Sequence, residues 1–125
     1  IKSQNKFDES LSEIIDFAIL FCDSDSKKPY FEDKNIIVNK DLFVIVFANL
    51  IKLSEKFSSN NAFWLDISEQ ICFVFEHLED IVEIEEKLYK SFEFLIIKNI
   101  IELHNFDLKC EANEKNCTFC IKVTK

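Results

Sequence analysis

Apolar and polar positions alternate along the chain with a mostly helical period. In residues 8–22, DESLSEIIDFAILFC, the residues Leu11, Ile14, Ile15, Ala18, Ile19 and Cys22 recur at helical spacing. Asp8 and Glu9 precede them, where negative charge suits the positive end of a helix dipole. The polar stretch 23–35 holds the only proline, Pro29, and reads as a long loop. Asn39 is a good N-cap, and Leu42 to Phe57 is long enough for four helical turns. A hairpin of Ile36–Val38 against Leu42–Phe47 competes with that helix, given the Val, Ile and Phe content. Leu50, Ile51, Leu53 and the later polar residues continue a 3.6-residue pattern, so the helix is preferred.

SSNN at 58–61 is a turn. In the next block Ile67, Ile71, Val74, Phe75 and Leu78 form one apolar stripe, opened by Asp66 and Glu69 as an acidic capping box. Asp80 and Glu83 repeat that signature and start a second helix near Ile81. On it, Ile84, Leu88, Phe92, Leu95 and Leu103 lie on or near one face, with Phe94, Ile97 and Ile101 on a second. Glu83/Lys87 and Glu86/Lys90 are favourable i,i+4 pairs on the outside. Phe75 and Phe92 are expected to face each other in the core. From Phe106 the pattern changes: Phe119, Ile121 and Val123 alternate with polar neighbours, as in a short strand.

These elements predict an all-α fold. It is one helical domain over 1–125, a small bundle of four to five helices, to which a two-stranded ribbon of 36–38 with 118–124 can be added. The 106–125 tail carries three of the cysteines.

Composition narrows the chemistry. Among 125 residues 48% are apolar and 14% aromatic, enough for a core and too many for full disorder. No run of 18 apolar residues exists to span a bilayer. Glycine, arginine and methionine are absent while Phe numbers 14, which points to an A/T-rich genome rather than to design. Without glycine there is no phosphate-cradling loop, dinucleotide fingerprint or nucleophile elbow, and sharp turns fall to Asn, Asp and Ser. With a net charge of −8 and no arginine, direct nucleic-acid binding is disfavoured. The chain begins at Ile1, as a processed product or a piece of something longer would.

The one cluster with specific chemistry is H-x5-C-x6-C-x2-C: His104, Cys110, Cys117 and Cys120. Thiolates and imidazole are zinc ligands, and a Cys3His set is a legitimate structural site. The bland alternative has His104 ending its helix beside the negative dipole. A disulfide from Cys110 to Cys117 or Cys120 is the competing covalent reading, and Asn116-Cys117-Thr118 is a glycosylation sequon. Cys22 and Cys72 sit on apolar stripes and read as small core residues. His77 and His104 lack spaced partners, so no nucleophile–base set can be assembled.

Phe92-Glu93, the aliphatic helix after it, Phe106, Leu108, Cys110 and the Cys117/Cys120 pair together resemble the helix-to-zinc segment of the bacterial RecO recombination mediators. The resemblance covers 92–120, without that family's glycine and first C-x2-C. It implies a zinc site but not the family's DNA function, because no complete OB-fold fits before the helices and the charge is wrong for DNA.

Function is accordingly expected to be non-enzymatic: a helical protein–protein interaction module, the accessory subunit or adaptor of a larger assembly. No cofactor is required beyond the candidate structural zinc, and an intracellular setting is slightly preferred. The alternative is a secreted, disulfide-stapled helical effector of a parasite or virus.

Overall fold

The computed structural model describes residues 5–123. Strand β1 (Phe7–Ser10) leads straight into helix α1 (Leu11–Phe21), and β2 (Asn35–Val38) into α2 (Lys40–Phe57). A hairpin follows, β3 (Trp64–Ile67) and β4 (Ile71–Glu76). Helices α3 (Ile81–Lys90) and α4 (Phe92–Leu103) come next, and the described part closes with β5 (Asp107–Ala112) and β6 (Asn116–Lys122).

The architecture is α/β, not all-α. One sheet is the antiparallel pair β1–β2, and the other is four-stranded in the order β3-β4-β6-β5 with every pairing antiparallel. The four-stranded sheet buries one face. Leu65, Ile71, Phe73, Phe75, Cys117, Phe119 and Ile121 join residues of α1, α2 and α4 in a single core. Phe43, Phe47, Phe73, Phe75 and Phe119 are among its largest fully buried side chains. Removing each such ring from water is worth roughly 1.5–3 kcal/mol.

The helix expected at 66–79 is instead the β3–β4 hairpin. Ile71, Phe73 and Phe75 point inward at a spacing of two, and Ser68 N–H donates to the Gln70 carbonyl at 2.9 Å to turn the chain. Branched and aromatic residues suit a pleated surface. Val74 is also covered, which gives the segment its false helical stripe. Pairing with β6, in the register Phe73↔Phe119 and Phe75↔Cys117, is the non-local contact that decides the outcome.

The expected ribbon is also re-partnered. Ile36–Val38 pairs with β1, Phe7 opposite Val38, and the tail strand lies between β4 and β5. Residue 124 of that expectation lies outside the described residues. Asp8 and Glu9 are strand residues, and α1 takes Ser10 as its N-cap.

Helix α2 begins where its N-cap signal puts it, with Asn39 Oδ1 accepting the Leu42 N–H at 3.0 Å. The long helix expected from Ile81 breaks at Ser91. This residue is the C-cap of α3 and the N-cap of α4: its hydroxyl donates to the Leu88 carbonyl and accepts from Phe94 N–H. The break re-aims α4, so Ile97, Ile100 and Ile101 are buried while Phe92 is 72% exposed. Phe75 is core as expected; Phe92 is not.

Turns without glycine use the residue types anticipated. Asp23, Asn61 and Asn105 take the left-handed conformation, with φ of 51°, 59° and 59°. No described helix is long and apolar enough to cross a membrane.

Candidate functional site

The four residues proposed as zinc ligands are not brought together. His104 is fully buried at the end of α4, where Nδ1–H donates to the Ile100 carbonyl at 3.0 Å. Its Nε2 accepts the Asn39 backbone N–H at 3.1 Å, so neither ring nitrogen is left for a metal. Cys117 points into the core, and Cys110 faces inward on the neighbouring strand. Burial, first of all, pushes both thiols up to about 12 and holds them protonated. Cys120 lies on the opposite face of β6, bonded through sulfur to Cys72. Cys72 is therefore not a core thiol, and the cross-link joins β4 to β6 rather than closing a loop within the tail. Among the described residues no group of three or more His, Cys, Asp or Glu is placed to hold a metal ion.

Buried polar atoms without a hydrogen bond gather instead at one end of the central sheet, where β4 leaves for α3. Among the described residues they include His77 Nδ1 and Asn116 Oδ1. His77 continues β4 by one residue: its N–H donates to the Lys115 carbonyl at 2.8 Å, and it bridges to Ser58. Its Nε2 lies 2.7 Å from the Asn113 carbonyl, which can only accept, so the proton is assigned to Nε2 and Nδ1 is a bare acceptor. Glu79 forms an ion pair with Lys87, Nζ at 2.7 Å from Oε1. Asn116 is opposite Glu76 in the β4–β6 register. The 113–116 turn is held by Asn113 Oδ1, which accepts from the Lys115 and Asn116 amides at 2.9 and 2.8 Å. Each unsatisfied buried acceptor carries a desolvation cost of about 1–3 kcal/mol, so a donor-bearing ligand or water would be favoured there. The arrangement accepts hydrogen bonds; it holds no nucleophile activated by a base.

A phosphate group finds little purchase. Helix N-termini attract anions through free amides and the dipole. Here the caps Ser10, Asn39, Asp80 and Ser91 already occupy an amide in each first turn, and Glu13, Asp41, Glu83 and Glu93 add negative charge. Glu93 also draws in Lys56, Nζ to Oε1 at 3.0 Å. Its carboxyl sits below the usual range: burial pushes it up, but its backbone amide and Lys56 outweigh that. A groove of about 590 Å³ between α1 and α2, lined by Phe17, Leu20, Phe21 and Val44 among others, is larger. It is apolar and open. Its lysine, Lys40, is taken by Glu13 at 2.8 Å, so we place the chemistry at the sheet end.

In the sequence His77 stands as a lone histidine. Its position three residues before the Asp80 cap was visible, but its place at a strand end was not, because β4 read as helix.

No protein-family model matches the chain, and no curated protein matches it in sequence. Solved structures do share the fold. The catalytic domain of histidine kinase ThkA, in a nucleotide-free form, superposes with a TM-score of 0.69 at 16% identity, covering 96% of this chain and 95% of that one. The ATP-binding domain of PrrB from Mycobacterium tuberculosis gives 0.68 at 12% identity, with 95% and 96% covered. Histidine kinase AdeS of Acinetobacter baumannii gives 0.69 at 12% identity; 95% of this chain is covered, but it spans 66% of the AdeS chain, just under two thirds. The fold is thus that of histidine kinase catalytic domains. This likeness overturns the expectation of a non-enzymatic helical adaptor, and with it the helical secreted effector: the chains compared above are histidine kinase or ATP-binding domains, and the architecture is not a helical bundle.

Proposed function

We propose that this chain is the nucleotide-binding domain of a histidine-kinase-type protein, and that it takes an adenine nucleotide chiefly by the base. The observation that carries the reading is the end-to-end likeness to isolated domains, at least 95% of both chains for ThkA and PrrB. The names histidine kinase, for ThkA, and ATP-binding domain, for PrrB, belong to those proteins; the proposal for this chain is nucleotide binding within such an assembly.

The bare acceptors at the end of β4 support binding by the base. Adenine's exocyclic amine can donate to such acceptors. Guanine has a carbonyl at that position but donors at N1 and N2, so the likeness to an ATP-binding domain is what supports adenine over guanine. With no glycine to bring backbone close to phosphates and with acidic first turns on all four described helices, the triphosphate adds little grip. Thermal unfolding with 5 mM adenosine, ATP or GTP tests this. Adenosine and ATP should raise the midpoint by similar amounts and GTP should not. No shift with either adenine compound, or an equal shift with GTP, overturns the reading.

A further inference from the structure

Cys72 and Cys120 sit directly opposite each other on adjacent antiparallel strands, on the face of the sheet turned away from the core. We propose that this cross-strand disulfide is a reversible redox site, opened in the folded protein by a small dithiol that attacks Cys120 from the β5 side. The inference is independent of the nucleotide reading.

Three observations carry it. The bond runs across the sheet from β4 to β6, and β5 lies beyond β6 in the same direction. On the side of Cys120 away from Cys72 is therefore Lys109, the residue paired with it on β5. A surface cavity of about 480 Å³ opens there, lined by Glu69, Gln70, Asp107, Lys109, Cys120 and Lys122 among others, so that Cys120 rather than Cys72 borders open space on this side. Lys109 is largely exposed and, among the described residues, its ionic contact is a long one to Glu111 at 4.0 Å, which leaves its ammonium able to meet an incoming anion. On the buried face, Phe73, Phe75, Cys117, Phe119 and Ile121 pack without either sulfur, so the sheet has no need to come apart when the bond opens.

The exchange balances as two displacements. The first thiolate of the dithiol forms a bond to Cys120 Sγ and expels Cys72 as a thiolate, which takes up a proton. The second thiol, as its thiolate, attacks the reductant's own sulfur in that mixed disulfide and expels Cys120, which is protonated in turn. The reductant leaves as a disulfide, having given two electrons and two protons. Burial leaves Cys110 and Cys117 as inert thiols during this exchange.

The test uses the full chain with dithiothreitol at pH 8. Timed alkylation and peptide mapping follow Cys72 and Cys120, and Trp64 fluorescence reports the same face. Trp64 is the single tryptophan, one pleat along from Cys72 on the paired strand, and a disulfide quenches indole. Both thiols should become alkylated at least tenfold faster than global unfolding, with the circular dichroism retained and the fluorescence increased. Lys109→Glu should slow the reaction at least threefold. Reduction at the unfolding rate, five free thiols in the protein as purified under air, or a Lys109→Glu rate equal to the parent's would each overturn the proposal.

Discussion

The backbone N–H of Asn39 donates to Nε2 of His104 across 65 residues of chain, at 3.1 Å. One imidazole therefore closes the C-terminus of α4 through Ile100 and pins the start of α2. Its ring also lies edge-on to Phe43, centroids 4.8 Å apart. This is why α2 and α4 form one body under the sheet.

Acid should weaken that joint. Burial, foremost, holds the His104 imidazole below its ordinary pKa, and Lys6 adds to this, while the Ile100 carbonyl works the other way. A histidine whose folded pKa is depressed contributes stability that is complete above its unfolded value, about 6.5, and is lost as pH falls below it. Chemical denaturation from pH 8 to 5 should show this loss. His104→Ala should cost roughly 2–4 kcal/mol at pH 8, from a cavity and an orphaned N–H. It should also flatten the pH dependence between 6.5 and 5. A parent and variant with parallel profiles would refute the role.

Phe43 and Phe92 should respond oppositely to truncation. Phe43 is fully buried against Phe47, His104 and Phe106, so Phe43→Ala should cost about 3–5 kcal/mol. Phe92 is 72% exposed, and its change to Ala should stay within about 0.5 kcal/mol. Urea midpoints of the two variants check both values.

Asn105 ends α4 in the left-handed region, with φ of 59°. Asn105→Gly should be neutral within about 0.5 kcal/mol, while Asn105→Ala should cost about 1–2 kcal/mol. Equal midpoints for the two variants would mean that the turn relaxes.

Local signals were legible in the sequence where they were local in the structure. Asn39 and Asp80 cap helices because a side-chain oxygen three residues from an amide is a short-range relationship. The left-handed Asp23, Asn61 and Asn105 follow from the lack of glycine. The central sheet was not legible. Ile71, Val74 and Phe75 fit a helix stripe as well as a strand covered on both sides at Val74, and only pairing with β6, more than 40 residues away, decides between them. The same non-local pairing hid Cys72–Cys120 and the strand-end place of His77. Once β4 is read as helix, both residues fall on the wrong faces.

The most direct measurement of the central claim is an amide NMR titration of the isotopically labelled chain with ATP. The expected result is saturable shifts confined to residues near His77, Glu79 and the 113–116 turn, reproduced by adenosine and absent with GTP. Unshifted spectra at 5 mM ATP, or shifts centred on another face such as the α1–α2 groove, would contradict a nucleotide site at the end of this sheet.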